Sequence, residues 1–251
     1  MANGIIEFLL SSDEKARKLR QNFIFKIVPM LNPDGVIHGN YRSNISGYDL
    51  NKKWINPSKI YQPEIFYLKK LILNIQEVGD IILFCDLHGH AMKKNAFVYG
   101  CHNNTDPRAG KRFPMLMSKL FRGFSLRDCS FLHMEEEEGT SRTFLSKQLK
   151  HCDIYALESS FCGPEYENIH FTVRHFEELG EKFCESLLIH FQDRIKQMHV
   201  DAAMREESHF PVDEDSFDVP SADSLRDFSE LDNLSFQDRV NSENSQLSEE
   251  E

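Results

Sequence analysis

The chain has 251 residues, 40% of them hydrophobic, and a formal net charge of −11. A chain of this length and composition can bury one substantial hydrophobic core, and it contains no run of about 18 consecutive apolar residues that could span a membrane. Residues 201–251 contain 16 acidic and 3 basic residues, whereas residues 1–200 contain 24 acidic and 26 basic ones. The first 200 residues are too nearly neutral for their charge to identify a partner, and we expect neither nucleic acid nor a membrane as one.

The first predicted elements are a helix over residues 4–20, interrupted near Ser11, and a strand over residues 22–30. Both predictions follow from the spacing of the apolar residues. Residues 31–60 then form a long connection rich in Asn, Pro, Gly and Ser. Because a loop of this length is unusual inside a compact domain, we expect it to carry function.

The remaining predicted elements alternate between helices and strands. They are a helix over 63–77, a strand over 80–87, a short strand over 96–99, a helix over 113–121, an extended segment over 128–133, a helix over 140–149, a strand over 153–158 and a long amphipathic helix over 171–197. This alternation predicts an α/β fold in which a sheet lies between helices on both faces.

We expect two regions, a folded domain over residues 1–200 and an acidic disordered tail over residues 201–251. Ser, Asp and Glu dominate the tail, and such a composition cannot bury enough apolar surface to offset the entropy lost on ordering. Four of its apolar residues stand at helical spacing, which fits either a helix that docks into a partner's groove or scattered residues in a solvated chain: Leu225, Phe228, Leu231 and Leu234.

The cysteines and the N-terminal residues indicate the cellular compartment. The six cysteines show no Cys-x-x-Cys pairing, and no basic segment precedes the first apolar residues. These features are typical of reduced thiols in a protein without a secretory signal. We therefore expect a cytoplasmic protein.

Polar residues stand at or just after the ends of two of the predicted strands. The apolar run that ends at Cys85 is followed by Asp86, His88 and His90, and the later strand ends in Glu158. In open α/β sheets, active sites lie at the carboxyl ends of the strands. Imidazole is a common metal ligand and the usual acid–base group near neutral pH. We therefore expect these residues and the polar loop over 31–60 to form a single site.

Several segments resemble the cytosolic carboxypeptidase branch of the zinc metallocarboxypeptidases. In the order of that family they are Phe25–Val36 with its Asn-Pro-Asp-Gly sequence, Gly39–Arg42, Asp49–Asn51, Asp86–His90, Tyr99–Cys101, and Glu158 with Phe161–Gly163. The resemblance implies a mixed parallel and antiparallel sheet of eight strands, flanked by helices. It also implies an enzyme that uses zinc to remove a C-terminal amino acid, typically glutamate from acidic protein tails such as those of tubulin. Such an enzyme would work in the cytoplasm, including at the cytoskeleton or the cilium.

The resemblance also assigns roles to individual residues. His88 matches a zinc ligand, and Glu158 matches the carboxylate that acts as general base. Arg42 matches the arginine that polarises the scissile carbonyl and contacts the substrate. Asn51 and Lys52 match residues that bind the terminal carboxylate of the substrate. The family usually has arginine in place of Lys52, and because lysine lacks the planar two-pronged guanidinium, we expect weaker carboxylate binding.

The metal site is expected to be incomplete. The family binds one zinc ion with a His-x-x-Glu pair that precedes the Asn-Pro-Asp-Gly segment, and Met1 matches a position after that pair. The small β-rich domain of this branch is expected to be absent as well. Two other His-x-x-Glu sequences, His133/Glu136 and His175/Glu178, are expected to lie on the surface.

With two of three ligands missing, we expect little or no activity from this chain alone. An alternative is therefore an inactive carboxypeptidase fold that binds acidic tails or a cytoskeletal partner.

Other residues near the site allow two interpretations each. His90 either takes part directly or supports a ligand through a hydrogen bond, and Asp86 is either a buried support or a ligand. Arg142 and Lys147 either line a pocket for a glutamate side chain or belong to the solvated surface. Cys162 is expected to be a small packing residue, because no histidine partner is apparent.

Overall fold

The computed structural model describes residues 1–101, 109–132, 137–149, 151–166 and 169–207. Eight α-helices lie in these residues: α1 Ala2–Leu10, α2 Glu14–Asn22, α3 Pro33–His38, α4 Pro63–Val78, α5 Ala109–Leu120, α6 Ser141–Gln148, α7 Val173–His190 and α8 Gln192–Glu207. A short 3₁₀ turn spans Leu50–Lys52, and the strands are β1 Leu83–His90, β2 Ala96–Gly100 and β3 Asp153–Ser160. Within the described ranges, no helix is both long and apolar enough to cross a membrane.

The three strands form one mixed sheet in the order β1-β3-β2. Strand β1 runs parallel to β3, and β2 pairs with β3 in the antiparallel direction. The predicted mixed sheet is confirmed. The described residues supply three of its strands, compared with the eight that the family resemblance implied.

Helices cover both faces of the sheet, as predicted. On one face, helices α1, α2, α5 and α7 pack against Tyr155 and Leu157 of β3. On the other face, helices α4 and α6 pack with Trp54 against Ile154 of β3. Successive strand residues point to opposite faces, so the apolar run of β3 contributes to both clusters.

Helices α1 and α7 approach each other closely through two glycines. A Cβ atom at Gly4 would lie 2.0 Å from the carbonyl oxygen of Glu177, and one at Gly180 would lie 2.3 Å from the carbonyl oxygen of Met1. No side chain fits at these distances. The two backbones therefore touch, and they bury the apolar residues on either side.

The predicted break in the first helix is confirmed. Helix α1 ends at Leu10, and α2 begins after Asp13, whose carboxylate accepts hydrogen bonds from the backbone amides of Lys15 and Ala16. This is ordinary N-terminal capping, which satisfies amides that have no partner within the helix.

The strand predicted over residues 22–30 is wrong. These residues join no strand ladder in the part of the chain that the structure describes, and Ile24 is 88% exposed. Their local pattern is suitable for a strand, but a strand also needs a neighbour to satisfy its backbone groups. The segment predicted as extended over 128–133 forms a single bridge, from Ser130 to Tyr99.

The long C-terminal helix is divided at Phe191 into α7 and α8. Residues Met1–Val200 form one compact unit. Helix α8 extends to Glu207, seven residues into the region predicted as a tail. The predicted tail from residue 208 onward, with its four apolar residues at helical spacing, lies outside the described residues.

Candidate active site

The carboxyl ends of β1 and β3 lie side by side and place two predicted site residues next to each other. The parallel register sets His88 opposite Glu158. A cleft of about 290 Å³ opens at this end of the sheet. All five residues predicted for the site line this cleft: Arg42, Asn51, Lys52, His88 and Glu158. The structure therefore brings together residues that are up to 116 positions apart in the sequence.

The loop that carries Arg42 is shaped by helix α3. The Asn32 side chain caps this helix by accepting the amide of Gly35, and Pro33 occupies its first turn. The helix ends at Gly39, whose φ of 72° lies in the left-handed region that favours glycine. The Nδ2 atom of Asn32 then donates to the carbonyl of Ser43, which ties the returning loop to the start of the helix.

Arg42 is oriented by a carboxylate in the same loop. Its Nε atom donates to Oδ2 of Asp49 over 2.9 Å, and its side chain stays half exposed beside the cleft. The other carboxylate oxygen of Asp49 accepts the backbone amide of Asn51. Asp49 therefore fixes the positions of two predicted substrate-binding residues at once.

A chain of hydrogen bonds connects this loop to β1 through Ser141. The backbone amide of Ser141 donates to Oδ1 of Asn51 over 3.1 Å, and its hydroxyl donates to Oδ2 of Asp86 over 2.8 Å. Ser141 is the first residue of α6 and is almost fully buried. Sequence patterns could not identify Ser141, because its two partners lie far away along the chain.

The buried Nε2 atom of His88 makes an ion-pair contact with Asp86 but no aligned hydrogen bond among the residues that the structure describes. This nitrogen lies 3.1 Å from Oδ2 of Asp86. Burial acts to lower the pKa of the His88 imidazole, yet the carboxylates of Asp86 and Glu158 outweigh it and raise this pKa above its ordinary value. The pKa of Asp86 is also acted on first by burial, which raises it, but His88 and Ser141 hold it below its ordinary value.

Glu158 lies in the environment expected of a proton-transferring carboxylate. Burial and then the nearby charge of Asp86 raise its pKa above the ordinary value, although His88 and Arg42 act in the opposite direction. A carboxylate with a raised pKa holds a proton more readily near neutral pH. Glu158 can therefore both accept and return a proton.

The described residues do not form a complete zinc site. A catalytic zinc takes three protein ligands and keeps one open position. His88 offers a suitable imidazole nitrogen, but within the described ranges no three His, Cys, Asp or Glu side chains form a group that could hold a metal. Of the two other His-x-x-Glu sequences, His133 and Glu136 lie outside the described residues. In the second, the Nδ1 atom of His175 accepts the amide of Thr172 and so caps α7.

Arg142 lines the cleft, so the interpretation that it belongs to the solvated surface is wrong. Arg142 is only 5% exposed, and its guanidinium donates to the carbonyl of Gly100 and to the carboxylate of Glu137. Lys147, by contrast, is half exposed, pairs with Glu138 and does not line the cleft. Three cationic side chains therefore line the cleft: Arg42, Lys52 and Arg142.

Comparison with known proteins gives the same family that the sequence resemblance indicated. A family model described as zinc carboxypeptidase matches residues 1–119. Cytosolic carboxypeptidase 4 of Mus musculus is 39% identical over 74% of this chain, and cytosolic carboxypeptidase 1 of Homo sapiens is 37% identical over 74%. The aligned regions cover 18% and 17% of those proteins, so the chain spans about a fifth of their length.

Solved structures show the same fold. A metallo-carboxypeptidase from Burkholderia cenocepacia matches with a TM-score of 0.67 at 24% identity, over 76% of this chain and 52% of that one. A metallo-carboxypeptidase from Pseudomonas aeruginosa, in complex with (2-guanidinoethylmercapto)succinic acid, matches with a TM-score of 0.64 at 25% identity and the same coverage. The matching family model therefore identifies residues 1–119 as part of a zinc carboxypeptidase domain, and the relatives and the fold agree with this assignment.

Proposed function

We propose that the cleft binds the substrate of a metallocarboxypeptidase that removes C-terminal glutamate residues from acidic protein tails, with tubulin as one such protein. The observation that carries this proposal is that Glu158 and three cationic side chains line the same cleft: Arg42, Lys52 and Arg142. We further propose a cytoplasmic location, which is consistent with the names of the relatives.

The cationic groups suit a substrate with more than one carboxylate. A C-terminal glutamate carries two, one on its main chain and one on its side chain. Arg42 and Lys52 lie on the loop side of the cleft with Asn51, where an amide can add a hydrogen bond to a terminal carboxylate. Arg142 is buried at the start of α6, and its guanidinium, which also pairs with Glu137, can bind an acidic side chain.

The chemistry assigned to this chain is charge stabilisation and proton transfer. Glu158 accepts a proton from the attacking water and passes it to the departing amine. Arg42 stabilises the negative charge that develops on the oxygen of the scissile carbonyl. Because the described residues do not complete a zinc site, no step of this proposal runs through a metal.

A binding experiment with matched peptides tests the substrate class. The chain is titrated with a fluorescent peptide that ends in a short run of glutamates, and with the same peptide carrying a C-terminal amide. We expect the free acid to bind at least about tenfold more tightly, because charge-assisted hydrogen bonds to the carboxylate are lost in the amide. Equal affinity for the two peptides would contradict the proposal.

Mass spectrometry of the same mixtures, with zinc added, tests the reaction. We expect little release of glutamate by the wild type, because the described residues do not complete a zinc site, and no release by Glu158→Gln, which lacks the proton-transferring carboxylate. Peptide that binds the wild type yet stays intact at every zinc concentration would identify a binding protein with an inactive carboxypeptidase fold.

A further inference from the structure

His90 stands at the end of β1, lines the cleft and packs its ring edge-on against Phe97 with 5.4 Å between ring centroids. We propose that His90 contacts the substrate by donating a hydrogen bond from its Nε2 atom to an oxygen of the bound peptide. This inference rests on the proposed function, since it concerns the same cleft and an acidic peptide as its occupant.

Two backbone amides determine which ring nitrogen of His90 carries the proton. The amides of Met92 and Lys93 donate to Nδ1 over 3.2 and 3.0 Å. An amide can only donate, so Nδ1 must be the unprotonated nitrogen. In a neutral imidazole the proton then resides on Nε2, which becomes a hydrogen-bond donor. Protonation of Nδ1 would break both bonds.

The donor is held in place by the backbone around it. The carbonyl of His90 accepts the amide of Phe161 over 3.1 Å. The Phe161 ring lies directly on Gly89, where a Cβ atom would come within 2.3 Å of the ring. With Nδ1 also occupied, both the main chain and the ring of His90 are fixed before any ligand arrives. A fixed donor loses little entropy when it binds.

The described contacts of His90 favour a role toward the substrate. Its side-chain hydrogen bonds stay within the loop that follows β1, and none reaches His88 or Asp86 among the residues that the structure describes. These contacts therefore argue against the interpretation that His90 supports the metal ligand through a hydrogen bond. Its Nε2 atom also has no partner in the described ranges, so an acceptor must come from water or from a ligand in the cleft.

The acceptor is an oxygen, which an acidic peptide provides in two places. One is a carbonyl of the peptide backbone, and the other is a side-chain carboxylate upstream of the C-terminal residue. Both accept from a neutral N–H group with the same geometry. Peptides in which the upstream glutamates are replaced by alanines distinguish the two sources, because this replacement removes the side-chain oxygens and keeps the backbone.

Two substitutions separate direct contact from a merely structural role. In His90→Asn, the amide oxygen takes the place of Nδ1 and can accept the two loop amides, but the Nε2 donor is lost. In His90→Gln, the amide nitrogen reaches the place of Nε2, but the acceptor for the loop is lost. Direct contact predicts that His90→Asn binds the glutamate peptide about 3- to 10-fold more weakly than the wild type, and that His90→Gln binds more tightly than His90→Asn.

Hydrogen exchange at the Met92 and Lys93 amides, measured on both variants, shows which one preserves the loop. The inference is supported if His90→Asn keeps slow exchange and still loses affinity. Loss of affinity for the glutamate peptide and the alanine peptide alike assigns the backbone carbonyl as acceptor, and loss for the glutamate peptide alone assigns the carboxylate. The reverse order of affinities, or wild-type affinity of His90→Asn for both peptides, overturns the contact. A wild type that binds neither peptide contradicts the proposed function, and the contact with it.

Discussion

The interface between helices α1 and α7 and the cleft at the ends of β1 and β3 are built in opposite ways. The helix interface is apolar, and its two backbones touch through Gly4 and Gly180. The cleft instead buries ionisable groups, including Glu158, whose pKa is raised by its burial. Burying an ionisable group disfavours its charged form and so costs stability near neutral pH. We infer that the helix interface stabilises the fold, whereas the buried ionisable groups of the cleft, which the proposed reaction requires, destabilise it.

The largest expected effect is a loss of stability in the helix layer. Leu179 on α7 is fully buried, so Leu179→Ala removes apolar contacts and leaves a cavity. We expect the free energy of unfolding to fall by about 2–5 kcal/mol, measured by denaturant titration. Val173→Ala on the same helix, where the side chain is 71% exposed, is the control and should change stability by less than about 0.5 kcal/mol. Similar losses for both variants would contradict the assignment of the core.

A second variant tests the close contact of the two helices. Gly180→Ala places a Cβ atom 2.3 Å from the carbonyl oxygen of Met1, so the helices must move apart. We expect a loss of about 1–3 kcal/mol, visible as a lower melting temperature. Gly79→Ala adds a methyl group in open space and serves as the matched control. If Gly180→Ala melts at the wild-type temperature, the contact between the backbones is not as close as described.

Removal of a charge from the cleft should raise the free energy of unfolding, whereas the two helix variants lower it. The pKa of Glu158 is raised in the folded state, so its ionisation costs stability as the pH rises through the ordinary glutamate pKa toward the raised one. Glu158→Gln should therefore be more stable than the wild type at pH 7, by about 1 kcal/mol. The two proteins should become equal under acidic conditions, where the wild-type carboxyl is protonated in both states. A less stable variant at pH 7 would show that Glu158 supports the fold.

The smallest expected effect concerns a glutamate of the helix layer. Burial acts to raise the pKa of Glu185, but Lys15 and Lys182 outweigh it and hold the pKa below its ordinary value. Its contribution to stability is present above the ordinary glutamate pKa and is lost as the pH falls through the lowered one. Glu185→Gln should cost about 0.5 kcal/mol at pH 7 and nothing in strong acid, as measured by melting at several pH values. A cost independent of pH would exclude an ionic contribution.

The sequence predicted those parts of the molecule that local patterns determine. Apolar runs that end in polar residues located β1 and β3 and placed His88 and Glu158 at one edge of the sheet. The same kind of pattern failed at residues 22–30, because pairing depends on a neighbour that the local sequence does not show. Ser141 was missed for a related reason, since its partners Asn51 and Asp86 lie in other elements.

The most direct test of the central claim maps peptide binding onto the two regions by NMR. The chain is titrated with the peptide that ends in free glutamate, and the backbone amide signals are followed. We predict saturable shifts at Arg42, Asn51 and Ser141, no shifts in the middle of α7, and no such response to the C-terminal amide. Shifts confined to helices outside the cleft, or equal shifts with both peptides, would contradict the account.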